Sequence, residues 1–107
     1  MSENEELVYG LKMRIKKGIN YINDLSLNEL CKDELRLDAV SYCLVEIASI
    51  SKKISSINEI NNKYEELDFY ELSKVYDDCF KEDNFNLTHL YNLFKEAFPI
   101  VLEILDQ

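Results

Sequence analysis

A chain of 107 residues has the length of one domain, and folding removes roughly two thirds of such a chain's surface from water, so neither a metal nor a disulfide is required. The composition, 47% hydrophobic and 31% charged with two Gly and one Pro, excludes an intrinsically disordered chain and suits a compact helical one. Twelve Lys and Arg stand against 21 Asp and Glu, a formal net charge of −9, and that balance repels phosphate backbones, whose affinity for proteins comes from cations displacing counterions.

Apolar residues recur as Leu7, Val8, Leu11, Ile15, Ile19 and Ile22, and steps of three and four predict a first helix over Glu5–Leu25. Gly10 and Gly18 each weaken it by about 1 kcal/mol relative to Ala, so one or both are expected to let a partner helix approach closely. Lys12, Arg14, Lys16 and Lys17 form the best candidate for a local basic patch, and otherwise read as a solvated helix face. Ser26 with Glu29 has capping-box spacing and predicts a short second helix, Leu27–Cys31. Asp33 and Glu34 supply the negative charge favoured at the next helix start. From there Leu37, Val40, Cys43, Leu44, Ile47, Ile50, Ile54 and Ile57 form the longest apolar stripe and define the third helix. The small residues Ala48, Ser49 and Ser51 beside it suit close packing or a dimer seam.

Asn58–Glu66 carries three Asn, breaks the periodicity and reads as the main loop. Asp68 with Glu71 repeats the capping spacing, and a fourth helix is expected over Phe69–Glu82, burying Phe69, Leu72, Val75, Tyr76, Cys79 and Phe80. Asp83 and Asn84 would end it, and Asn86 would cap the last helix. That helix buries Leu87, Leu90, Leu93, Phe94, Phe98, Val101, Leu102 and Leu105, with Pro99 expected to kink it near Lys95. The reading is an all-α, up-and-down bundle of about five helices in a single domain, 1–107, without strands or repeats.

The opening MSENEE is the wrong chemistry for a signal peptide, and no apolar run approaches the roughly twenty residues of a membrane span. A cytoplasmic protein without membrane contact is expected, with Cys31, Cys43 and Cys79 reduced. Their spacing fits no zinc pattern, there is one His, and no Gly-rich phosphate loop or nucleophile elbow is present. No metal or cofactor is expected, and Cys43, on the apolar stripe, reads as a packing residue.

The segment LRLDAVSYCLVEIASISKKIS, Leu35–Ser55, resembles a helix of the HepT-like branch of the HEPN superfamily, with Asp38, Ala39, Val40, Glu46, Ile47, Lys53 and Ser55 in register. Tyr91–Leu105, YNLFKEAFPIVLEIL, resembles the family's closing helix, with an aromatic at its start and a late Pro. The resemblance implies a HEPN-like bundle and a helix, here Phe69–Glu82, that carries an Arg, a polar neighbour and a His. In the family two protomers join these motifs into a metal-independent ribonuclease. The chemistry needs a group titrating near neutrality to move the 2′-hydroxyl proton and a fixed cation to hold the phosphate.

Aligned without gaps, the Arg position falls on Tyr76, the polar neighbour on Asp77 and the His on Lys81. A tyrosine carries no positive charge at neutral pH, and a lysine, with an ordinary pKa of about 10.4, would need a large downward shift to act as a base. Asp77, Asp78, Glu82 and Asp83 oppose that shift and repel RNA. The tyrosine that a partner nucleotidyltransferase of the MNT type modifies in this family is replaced by Asp83. His89 lies beyond the motif and reads as a partly exposed helix residue.

The sequence therefore points to a HepT-like, toxin-antitoxin-type protein without its cleavage centre. It is expected to act by protein binding, as a homodimer or with a nucleotidyltransferase, and RNA is not expected as a partner. Two alternatives stand beside it. One is a ribonuclease with a shifted constellation of Lys74, Tyr76 and Lys81. The other is an acidic mobile-element or anti-defence protein that covers a partner's basic, nucleic-acid-binding surface.

Overall fold

The long helices begin where a polar side chain can accept from their free N–H groups. In the computed structural model of the protein, which describes residues 1–81 and 84–107, α1 spans Glu3–Ile22, α2 Leu27–Lys32 and α3 Glu34–Ser55. Ser26 and Glu29 form the expected capping box, and Asp33 caps α3 by accepting from the Arg36 N–H at 3.1 Å. Ser2 and Glu5 form another capping box ahead of α1. The apolar spacing does not reveal this one, because it lies upstream of the first apolar residue in the stripe.

α1 and α3 pack antiparallel. The Arg14 guanidinium lies 5.2 Å from the centre of the Tyr42 ring, while Arg36 Nη1 donates to the Tyr21 carbonyl at 3.4 Å and pairs with Asp24 at 2.6 Å. The last third of the chain is one rod made of α7 (Leu87–Asn92), a π-helical turn (Leu93–Ala97) and α8 (Phe98–Leu105). It too runs antiparallel to α1. Tyr91 donates its hydroxyl to the Leu25 carbonyl at 2.7 Å, Lys95 Nζ donates to the Asn23 carbonyl at 3.1 Å, and Lys12 pairs with Asp106 at 3.2 Å.

Between these helices lie Leu11, Ile15, Ile22, Val40, Leu44, Ile47, Ile54, Leu90, Phe94, Phe98 and Leu105, all buried and all on the faces the spacing assigns to the core. Of the two glycines, Gly18 is the one the packing requires. A Cβ there would fall inside the Phe94 ring, 2.7 Å from its Cδ1, whereas a Cβ at Gly10 would meet Ile50 Cδ1 at an ordinary 3.6 Å. Ala48 and Ser51 are buried inside the bundle and Ser49 faces solvent, so packing within the chain takes up most of the small-residue stripe.

The expected kink takes the form of the π turn, in which the Phe98 N–H donates to the Leu93 carbonyl five residues back. Pro99 has no N–H for the Lys95 carbonyl. With the wide turn placed before it, Pro99 falls in the first turn of α8, where a missing donor is tolerated.

Two expectations are corrected. Asn58–Glu66 is not a loop throughout: α4 spans Asn58–Lys63, followed by a turn. Asn61, read as a loop former, instead donates its side-chain amide to the Ile54 and Ile57 carbonyls at 2.9 and 2.8 Å, closing the end of α3 from within the next helix. Ile60 and Tyr64 then point into the core.

The fourth helix is also not continuous. It divides into α5 (Phe69–Leu72) and α6 (Val75–Cys79), and the chain then enters β1 (Phe80–Lys81), paired antiparallel with β2 (Asn84–Phe85). Asp68 caps α5 as expected, accepting from the Glu71 N–H at 3.0 Å. The break follows from Ser73, whose hydroxyl donates to the Tyr70 carbonyl in competition with the helical ladder. The Lys74 N–H then closes a tighter turn on Glu71, three residues back. Phe80, expected in the core, is 42% exposed, and Asn84 is a strand residue. Glu82 and Asp83, expected to finish this helix, lie outside the described residues.

Among the described residues the all-α bundle thus has seven helices, counting the rod once, in place of about five, with one two-residue strand pair.

Candidate functional site

A row of aromatic rings ties the end of α6 to the hairpin. Tyr76, half-buried, stacks on Phe80 with centroids 4.9 Å apart, and Phe80 stacks on Phe85 at 4.8 Å across the strand pair. The Asn86 N–H donates to the Cys79 carbonyl at 2.7 Å, fixing the return of the chain. The Cys79 side chain is fully buried, and burial together with the Asp78 carboxylate pushes its thiol up to about 11, which leaves no thiolate for nucleophilic work at neutral pH.

The three motif-equivalent residues do not share one helix face. Tyr76 belongs to the ring stack, Asp77 is exposed on α6, and Lys81 has left the helix for β1, where it is exposed opposite Asn84. The gap-free alignment presumes a helix continuing past residue 80, and the extended backbone at Phe80 ends it. Asp83, aligned with the modified tyrosine, lies outside the described residues.

Lys81 instead lines a cleft of about 710 Å³ between the hairpin and the start of α7, together with Asp78, Asn84, Asn86, Thr88 and His89. The fold therefore brings the single His to the same cleft as Lys81 and Asp78. The signal for it is the Asn residues on either side of Phe85, which are turn chemistry following a run with helical spacing. His89 is partly exposed, as read from the sequence. Asn86 accepts from its backbone N–H at 3.0 Å, and among the described residues no hydrogen bond orients the imidazole. A general acid or base works when a neighbour fixes its ring and tautomer, and none of the described residues does so for His89.

Lys74 takes no part in this cleft. Its Nζ lies 4.1 Å from the centre of the Tyr70 ring and 3.6 Å from Glu71. Burial alone would lower its pKa, but the Glu71 charge and the Tyr70 contact outweigh that and hold it above the ordinary lysine value, the wrong direction for a base. The constellation of Lys74, Tyr76 and Lys81 is therefore dispersed over three settings. What the segment does present to solvent, within four residues of chain, is an acidic, aromatic ledge: Asp77 and Asp78 on α6 and Phe80 at its end, all exposed.

The basic residues of α1 do not form a free patch, since Lys12 is paired with Asp106 and Arg14 lies over Tyr42, which leaves Lys16 and Lys17 exposed. Cys43 is a packing residue, its thiol pushed up by burial, and Cys31 is exposed. Among the described residues no three His, Cys, Asp or Glu side chains are grouped to share a cation, and no helix is long and apolar enough to cross a membrane. Comparison with known protein families, with curated proteins and with solved structures finds no match.

Proposed function

We propose that this chain is a HepT-like member of the HEPN superfamily that has lost its cleavage centre and works by binding protein, as a homodimer, with a nucleotidyltransferase, or both. The observation that carries the reading is the ledge of Asp77, Asp78 and Phe80, acidic and aromatic where RNA cleavage would require a fixed cation and an oriented imidazole. Phosphate is repelled from such a surface, whereas a basic protein segment gains charge complementarity and contact with the exposed part of Phe80. Purified protein is expected to leave mixed RNA intact. Co-expression with an MNT-type nucleotidyltransferase is expected to return a complex that Phe80→Ala weakens by roughly tenfold or more, as for an aromatic contact at an interface. RNA cleavage that disappears in Lys81→Ala would sink the proposal.

One observation favours a second reading, a ribonuclease with a non-standard site: Lys81 and His89 line the same cleft. On that reading both His89→Ala and Lys81→Ala abolish cleavage, while Lys74→Ala leaves it intact because Lys74 lies outside the cleft.

A further inference from the structure

The helix that stands where the sequence reads as a loop builds a second cleft, which shares no residue with the one at the hairpin. Asn61 fixes α4 to the end of α3, and α4 stands across from the first turns of α1. The cleft between them is about 480 Å³, inside the range of roughly 300–1,000 Å³ typical of small-molecule sites. Its floor is the edge of the core: Val8, Ile60 and Tyr64 are 9%, 4% and 8% exposed. Across its mouth Asn4 Nδ2 donates to Glu59 Oε2 at 3.1 Å, joining the two walls.

Four charged side chains line the cleft, and three of them are already engaged. Glu5 accepts from the Ser2 N–H at 3.3 Å, Glu59 accepts from Asn4, and Lys12 pairs with Asp106. Lys63 is the exception. Among the described residues no carboxylate lies within ion-pair distance of it, and its Nζ sits over the Tyr64 ring, 5.4 Å from the centroid. In a chain with 21 acidic residues, a lysine held over an apolar floor without a carboxylate is a cation left available. A flat apolar body would lie against the exposed edges of Val8, Ile60 and Tyr64, and an anion attached to it would pair with Lys63.

We infer that the cleft between α1 and α4 is a binding site for a small organic anion with a flat apolar body, its charge on Lys63 and its ring on Tyr64, Ile60 and Val8.

The test is a titration of the full chain, followed by backbone amide NMR, with three probes of one shape: 1-naphthoate, its neutral carboxamide and 1-naphthylmethylammonium. Naphthoate is expected to shift amide signals of residues 2–12 and 59–64 saturably. The carboxamide is expected to bind the same place roughly tenfold more weakly, the size of one charge-assisted hydrogen bond. Lys63 is exposed, so Lys63→Gln should keep the helical circular dichroism unchanged while removing the preference for naphthoate over the carboxamide. The inference is overturned by the absence of saturable shifts at millimolar probe. It is equally overturned by shifts confined to the hairpin, by equal or tighter binding of the ammonium, or by an unchanged preference in Lys63→Gln.

Discussion

The bundle is built by two different rules. In α1, α3 and the C-terminal rod, apolar residues return every three or four positions, and the most deeply buried side chains fall where that spacing puts them. Between Asn58 and Asn86 no described helix exceeds six residues, and single polar side chains set the boundaries: Asn61, Asp68, Ser73 and Asn86. Helices of that length are not stable alone, since nucleation outweighs the few hydrogen bonds gained. The long helices are held by area, and the short ones by local hydrogen bonds and by the anchors they drop into the core.

Replacing the largest fully buried one of those anchors gives the most severe test. Phe69 on α5 is fully buried and meets Tyr64 edge-on at 6.5 Å. Phe69→Ala is expected to cost about 3–5 kcal/mol in denaturant unfolding, and a loss below about 1 kcal/mol would mean that the short-helix segment is not anchored through this ring. Gly18→Ala comes next, at about 1–3 kcal/mol of overpacking, because the methyl group must displace the buried Phe94 ring. Asn61→Ala frees the carbonyls at the end of α3 and should cost about 1–2 kcal/mol. Proteolysis would show whether the cut appears first in α4, as local capping requires. Gly10→Ala has the opposite sign and should stabilise by up to about 1 kcal/mol, since the helix gains propensity and the methyl finds ordinary contact.

The smallest effect is with acid. The Arg36 hydrogen bond holds Asp24 below its ordinary 3.8, and the Ser26 N–H holds Glu29 below its ordinary 4.5. Both carboxylates therefore support the folded state above those ordinary values, and the support is lost as pH falls through the depressed ones. Asp24→Asn should slightly flatten the fall in urea midpoint between neutral pH and pH 3, and a steeper fall would contradict the assignment.

The sequence made the long helices legible because burial there has a period. The stripe from Val40 to Ile54 and the closing run from Leu90 to Leu105 are each read without ambiguity, and Ser26 and Asp33 mark their own helix starts. The middle of the chain was not legible in the same way, since Asn61 and Ser73 act through their own hydroxyl or amide on a nearby carbonyl, which no periodicity records. Phe80 satisfies a helical spacing and yet lies on a strand. The candidate site inherits that difficulty: Tyr76, Asp77 and Lys81 lie in the segment expected, but their separation, and the arrival of His89 at the cleft that Lys81 lines, depend on the hairpin. The cleft over Tyr64 depends on α4 and is invisible while Asn58–Glu66 reads as a loop.

The π turn at Leu93–Ala97 makes the residue count of the rod matter more than its composition. Its hydrogen bond closes five residues back where an α-helix closes four, so the rod carries one residue beyond what its axial advance requires. Before the turn α7 meets α2 and α6, and after it α8 meets α1, so a single slip in phase lets one rod address two sets of neighbours. Deleting one residue between Leu93 and Ala97 would restore a regular ladder and, because the surplus residue adds no axial advance, leave the residues downstream close to their present phase. Leu105 would stay in the core and Asp106 near Lys12. The cost would fall on Pro99, which would then lie inside an unbroken helix with no N–H for the carbonyl one turn back.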